Sequence, residues 1–129
     1  MRILVVEDDM VSVKIMTKML QPYGEIDVVV NGAQAVRMFE SSLNDEPYDV
    51  VFLDIMLPEM DGQEVLKSIR KKEEKLGIYG LDGVKVIMTT ALDDSRNVMQ
   101  AFKSQCEGYI VKPISKSKIV EQFRKLNLL

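Results

Sequence analysis

The sequence predicts an α/β fold, a doubly wound parallel sheet of five strands in the order 2-1-3-4-5 with helices on both faces. Two observations carry this. Short apolar runs alternate with segments of helical period, the signature of repeated strand–helix units. The runs are also apolar at consecutive positions rather than alternate ones, as strands are when helices cover both faces of a sheet. A third observation concerns chemistry. Four of the runs end in residues suited to handling phosphate, and in doubly wound sheets the ligand crevice lies outside the carboxyl ends of the strands.

Arg2–Val6 (R-I-L-V-V) is the first strand and runs into Glu7-Asp8-Asp9. Ile15, Met16, Met19 and Leu20 then recur at helical spacing, and Pro22-Tyr23-Gly24 stops that helix. Ile26–Val30 is the second strand, closed by Asn31-Gly32. Ala35, Val36, Phe39 and Leu43 form one face of a second helix, which ends before Asn44–Pro47. Asp49–Leu53 (D-V-V-F-L) is the third strand and leads to Asp54. A third helix is expected over Gln63–Leu76, with Leu66 and Ile69 inward and the run Lys71-Lys72-Glu73-Glu74-Lys75 outward. Gly77–Gly83, with three glycines, reads as a flexible surface loop. Val84–Met88 (V-K-V-I-M) is the fourth strand, ending at Thr89-Thr90-Ala91. Val98, Met99 and Phe102 mark a fourth helix capped by Asp93, Asp94 or Ser95. Gly108–Val111 is the fifth strand, ending at Lys112-Pro113, and Ile119, Val120, Phe123 and Leu126 mark a fifth helix from near Ser115. Right-handed crossovers and the doubly wound rule together suggest the strand order stated above.

The totals set limits. A chain of 129 residues suits one domain, expected over residues 1–129. A net charge of −3 offers no electrostatic footprint for nucleic acid or an anionic membrane. No apolar stretch approaches the ~20 residues that span a bilayer. The amino terminus turns acidic too early for a secretory signal. The single Cys106 excludes an internal disulfide and fits a reducing compartment, so the expected location is the cytoplasm. Histidine is absent, which removes the commonest general base and imidazole metal ligand. A phosphohistidine cannot form on this chain.

The strand-end residues each have a plain structural explanation. Acids such as Glu7, Asp8 and Asp9 cap helix starts, Asp54 suits a turn, Thr90 suits a strand end, and most lysines are surface lysines. Together they make a different pattern. Three carboxylates at neighbouring strand ends repel one another unless a cation joins them. Glu7, Asp8 and Asp54 carry three negative charges, which Lys112 and one Mg²⁺ would balance. Oxygen-only ligands suit Mg²⁺, with Mn²⁺ as the alternative. Asp8 is the expected direct ligand, Glu7 acts through water, and Asp9 is a cap. Lys112 and Thr90 supply a charged and a neutral donor for phosphate, and Ala91 leaves room.

At these residues the chain resembles the receiver domains of response regulators in two-component signalling, over its whole length. The matching elements are Glu7-Asp8, the run D-x-x-L-P-x-M-D-G from Asp54 to Gly62, Thr90-Ala91, Tyr109 and Lys112-Pro113. The strand order is itself familiar from chemotaxis receivers, so it is not an independent deduction. The resemblance implies that Asp54 is the phosphoacceptor, in a Mg²⁺-dependent reaction. The metal would be held by Asp8, Asp54, the Met56 backbone carbonyl and waters near Glu7. Thr90 and Lys112 would bind phosphoryl oxygens, and the Lys112–Pro113 peptide is expected to be cis. Thr90 and Tyr109 would carry the switch to a face made by helix 4, strand 5 and helix 5. Met56 and Leu92 would set the phosphoryl lifetime. The donor would be a histidine kinase or a histidine phosphotransfer protein, and the receiver of the signal an unknown protein target. The chain is expected to turn over no external substrate. With no second domain it reads as a stand-alone response regulator, and a homodimer through the helix 4–strand 5–helix 5 face is left open.

Two rivals fit less well. Aspartate-nucleophile phosphatases of the haloacid-dehalogenase type place a second Asp two residues after the nucleophile, where this chain has Met56. A flavin or nucleotide module would set phosphate against Glu7-Asp8-Asp9, and there is no G-x-x-x-x-G-K-[ST] loop.

Overall fold

The computed structural model describes residues 1–91, 100 and 105–129. The expected fourth helix, its cap at Asp93, Asp94 or Ser95, and Leu92 lie outside the described residues. The elements are β1 (Arg2–Val6), α1 (Met10–Leu20), β2 (Glu25–Val29), α2 (Gly32–Leu43), β3 (Val50–Asp54), α3 (Gly62–Lys75), β4 (Lys85–Thr90), β5 (Gly108–Val111) and α4 (Lys116–Lys125). The last is the helix that follows strand 5.

The five strands pair in parallel in the order β2-β1-β3-β4-β5. β3 sits at the centre, and all five of its residues are buried, which is why its sequence shows no alternation. Its two faces feed two cores. On one side Leu4, Val6, Val51 and Leu53 meet Ala35 and Phe39 of α2 and Val65, Leu66 and Ile69 of α3. On the other, Ile3, Val5, Phe52 and Ile87 meet Met16 and Leu20 of α1 and Ile119 and Phe123 of α4. Phe123 packs edge-on against Tyr23, with ring centroids 5.2 Å apart.

Each described helix begins at a side-chain cap that the sequence carries. Asp9 accepts from Val11 and Ser12, Asn31 from Gln34, Asp61 from Glu64 and Ser115 from Lys118. β2 is one edge of the sheet, and it carries Glu25 and Asp27. Arg2 of β1 faces both acids and Glu46, with its guanidinium 4.8 Å from the Tyr48 ring centroid.

Three local expectations change. Ile15 is on the solvent side of α1, and Val13 takes the inward place. Glu73, expected on the outward charged run, is buried at 3% exposure because Arg70, one turn earlier, turns inward with it. The Gly77–Gly83 connection is not featureless. It holds a short 3-10 turn, Gly80–Asp82, and Gly77 and Gly80 adopt positive φ with open space around them.

Candidate functional site

The carboxyl ends of β1, β3, β4 and β5 deliver one residue set to one crevice. β1 ends at Val6, so Glu7 and Asp8 follow directly, with Glu7 buried and Asp8 exposed. Glu7 is fixed by its backbone, whose N–H donates to the Val29 carbonyl at 3.1 Å. Asp54 is the last residue of β3, 5% exposed, and in register with Thr89 of β4. Thr90 ends β4 and is buried. Lys112 follows β5, and its N–H donates to the Thr90 carbonyl at 2.6 Å. The Lys112–Pro113 peptide is cis, as the resemblance implied.

The loop after Asp54 is shaped around it. Met56 N–H donates to Asp54 Oδ1 at 3.0 Å. Gly62 N–H donates to the Ile55 carbonyl at 3.0 Å and closes the loop. A Cβ at Gly62 would collide with the Asp54 carbonyl oxygen, so the glycine of the D-x-x-L-P-x-M-D-G run is there for close approach.

The charges meet as the sequence suggests, with one difference. Lys112 Nζ donates to Glu7 Oε1 at 2.6 Å and to Asp54 Oδ2 at 3.4 Å. Glu7 is therefore the ammonium's nearer partner, a pairing across 105 positions that spacing alone does not reveal. Its other oxygen accepts from Asp9 N–H at 3.2 Å. Burial pushes the Glu7 carboxyl above its ordinary range. The Lys112 hydrogen bond pulls it down, and the adjoining Asp54 carboxyl pushes it up again. Burial works against the Lys112 ammonium, but the Glu7 hydrogen bond and the Asp54 charge raise it overall. Asp9 keeps to its capping role, held below the usual range chiefly by the Ser12 hydroxyl.

One carboxylate oxygen each from Glu7, Asp8 and Asp54 lie within 4.8 Å of one another. This is the one group of three such ligands among the described residues. Hard oxygen donors, mutual repulsion and, among the described residues, the one ammonium of Lys112 beside them fit a divalent cation such as Mg²⁺. Met56, in the loop after β3, is largely exposed, and Tyr109, on β5 opposite Met88, is partly exposed.

Comparison with known proteins agrees with this geometry. The model of the response regulator receiver domain family matches residues 3–124. Hybrid signal transduction histidine kinase L of Dictyostelium discoideum is 38% identical over 125 residues, 96% of this chain and 7% of that protein. The chain thus spans a small part of the hybrid kinase. Chemotaxis protein CheY of Listeria monocytogenes is 32% identical over 125 residues, covering 95% of each chain. Among solved structures, the receiver domain of a Pseudomonas aeruginosa sensor histidine kinase, with magnesium in its active-site cleft, superposes with TM-score 0.78 at 26% identity. It covers 98% of this chain and 97% of that one. The receiver domain of the histidine kinase CKI1 from Arabidopsis thaliana, complexed with Mg²⁺ and BeF₃⁻, gives TM-score 0.84 at 25% identity. It covers 99% and 90%. No described helix is long and apolar enough to cross a membrane. A strand-end acidic triad beside a lysine, on a 2-1-3-4-5 sheet matched over nearly its full length, places this chain in the response regulator receiver domain family, whose members are phosphorylation-activated signalling switches.

Proposed function

We propose that Asp54 accepts the phosphoryl group and that Glu7, Asp8, Thr90, Lys112 and the Met56 backbone complete its site. The observation that carries this reading is the position of Asp54. It is a buried carboxylate at the end of the central strand, with an ammonium 3.4 Å away and two further carboxylates within metal-sharing distance. A nucleophile so placed is held still and desolvated, and the surrounding charges are set before the donor arrives.

The reaction is an in-line transfer. An Asp54 carboxylate oxygen forms a bond to phosphorus as the bond to the donor's imidazole nitrogen breaks, and the imidazole leaves with its electron pair. These 129 residues hold no histidine, so that imidazole lies outside them, on a histidine kinase or histidine phosphotransfer module. Bound Mg²⁺ supplies charge neutralisation for the phosphoryl oxygens. Asp8, Asp54 and the Met56 carbonyl would hold the cation, with Glu7 acting on it through water, and Glu7 holds Lys112 in place. Lys112 donates to one phosphoryl oxygen and the Thr90 hydroxyl to another. The product acyl phosphate adds about one negative charge at Asp54. Thr90 and Tyr109 convert that charge into a change of the face that includes β5 and α4, which a protein target reads.

The surroundings suit a docking kinase. Met10, Val11 and Ile15 are exposed on α1 beside the crevice. Ile15, Ala91, Lys112, Pro113 and Ile114 line a cavity of about 390 Å³ there. The chain turns over no external substrate in this reading.

Intact mass after incubation with a small acyl phosphate tests it, with and without Mg²⁺, for the wild type and Asp54→Asn. One phosphoryl gain that requires both Mg²⁺ and Asp54 is expected. Labelling that persists in Asp54→Asn removes the assignment. A Tyr109→Ala variant is expected to label normally and to lose phosphorylation-dependent partner binding.

A further inference from the structure

The far end of the sheet from the crevice holds a second buried charge network. Its centre is Arg70 of α3, 8% exposed. Nη1 donates to Glu73 Oε1 at 2.8 Å and to the Val84 carbonyl at 2.9 Å. Nε and Nη2 donate to the Gln105 carbonyl at 3.0 and 2.6 Å. Nη2 also reaches both oxygens of Glu107, at 2.7 and 2.9 Å. The carboxylates then grip backbone in turn. Glu73 Oε2 accepts from Val84 N–H, and Glu107 Oε1 from Val86 N–H, both at 2.6 Å.

One guanidinium therefore ties together the entry to β4, at Val84 and Val86, and the entry to β5, at Gln105 and Glu107. These two strands supply Thr90 and Lys112. The other two strands of the site, β1 and β3, supply the carboxylates; β4 is laddered to β3, with Val86 opposite Val51, but among the described residues none of the clamp's side-chain hydrogen bonds goes to β1 or β3. From Val84 to Thr90 is about 20 Å at strand rise. A continuous ladder joins the two ends, from Glu107 N–H on the Val86 carbonyl at 2.9 Å to Lys112 N–H on the Thr90 carbonyl. A fault in register or tilt introduced at the clamp is carried along that ladder to the crevice.

We infer that Arg70 is a positioning residue for the phosphoryl-contacting half of the site, acting through Glu73 and Glu107 to align β4 against β5. This rests on the assignment of Thr90 and Lys112 as phosphoryl contacts. A planar five-donor fork is needed for the geometry. Lysine keeps the charge but cannot reach two carbonyls and two carboxylates at once. Gly83 offers a second handle outside the network itself. A Cβ there would meet the Glu73 carboxylate oxygens at 2.9 and 3.0 Å and Arg70 Nη1 at 3.1 Å, so an added methyl must push the clamp.

The test compares the wild type with Arg70→Lys and Gly83→Ala. Mg²⁺ affinity is read by calorimetry, phosphoryl gain from acetyl phosphate at saturating Mg²⁺ by intact mass, and amide exchange residue by residue by NMR. The expected result is a split. Mg²⁺ affinity stays within about twofold, while the labelling rate falls about fivefold or more, since a misplacement of ~1 Å costs up to ~100-fold. The Lys112 amide exchanges faster in both variants, and those of Val6 and Leu53 do not. A general structural role would instead move metal binding and labelling together, which overturns the inference, as does labelling at the wild-type rate. The exchange arm needs no phosphorylation. If the wild type takes no phosphoryl group, the acceptor assignment has failed, and an unmoved Lys112 amide still overturns the positioning role.

Discussion

Lys112 Nζ lies 2.6 Å from Glu7 Oε1 and 3.4 Å from Asp54 Oδ2, so the ammonium is bound most closely to a carboxylate other than the proposed acceptor. Glu7 parks Lys112 beside Asp54 without tying up the proposed acceptor. An incoming phosphoryl group can then draw the ammonium over by a short movement.

Removing that ammonium leaves buried Glu7 and Asp54 without a cation. Lys112→Met is expected to lower metal-free stability by about 2 kcal/mol, the scale of stranding a buried charged hydrogen-bond partner. Saturating Mg²⁺ is expected to restore most of the loss. Urea unfolding in chelator and in Mg²⁺ measures both. An unchanged midpoint in chelator contradicts the pairing.

The pH dependence follows from the direction of the Glu7 shift. Its carboxyl is raised in the folded state, first by burial, so the native protein holds that proton more tightly than the unfolded chain. This contribution is complete below the unfolded value, near 4.5, and is lost as pH rises through the higher folded one. Metal-free stability should therefore carry a falling component above pH 4.5 that Glu7→Gln removes and Mg²⁺ masks. Lys112 is also raised, by its carboxylate partners against burial. Its contribution is present below 10.5 and lost above it. Denaturation in chelator across pH checks both; parallel curves for wild type and Glu7→Gln would rule out the first.

Gly62→Ala is expected to be destabilising by about 2 kcal/mol or more, because the new methyl meets the Asp54 carbonyl rather than a movable side-chain tip. It should also slow phosphoryl gain, since the backbone that yields is that of the acceptor. Wild-type stability and labelling in this variant would refute the close approach.

The phosphoryl group is expected to persist, because exposed, apolar Met56 offers an attacking water no hydrogen-bond partner. Met56→Asn should speed its loss by about threefold or more, through orientation of that water. Leu92→Glu is expected to act in the same direction. Decay of the phosphorylated mass with time measures both, and an unchanged half-life counts against the assignment.

Cys106 is buried, and burial, with help from the Glu107 charge, pushes its thiol up to about 11. At pH 8 only about a thousandth is thiolate. Reaction with a disulfide reagent should be ~100-fold slower than in denaturant, and free reaction in the native protein would show that the packing around Cys106 opens readily.

Much of this was legible because strand-end chemistry and strand burial are local. β1 and β5 have the bounds expected, and β2, β3 and β4 end within two residues of expectation. Asp9 and Ser115 announce their helices by type and position. What could not be read depends on distant partners. Glu73 sits in a run of charges that ordinarily face water, and the Arg70 guanidinium and the Val84 N–H offset its burial. Glu7 reads as a metal-site acid until β5 brings Lys112 to it across 105 positions. Ile15 fits helical spacing as well as Val13 does, and the buried stripe that α1 turns to the sheet, Val13, Met16 and Leu20, leaves Ile15 outside it.

The acidic edge of β2 has a consequence for how copies of this chain can meet. An added strand would have to settle beside exposed Glu25 and half-exposed Asp27, whose charges are already engaged by Arg2 and, for Asp27, by the Tyr48 hydroxyl at 2.6 Å. Such pairing would strip water from carboxylates and offer no cation in return. Of the sheet's two edges, β2 and β5, the β2 edge is thereby disfavoured for joining strand to strand with a second copy.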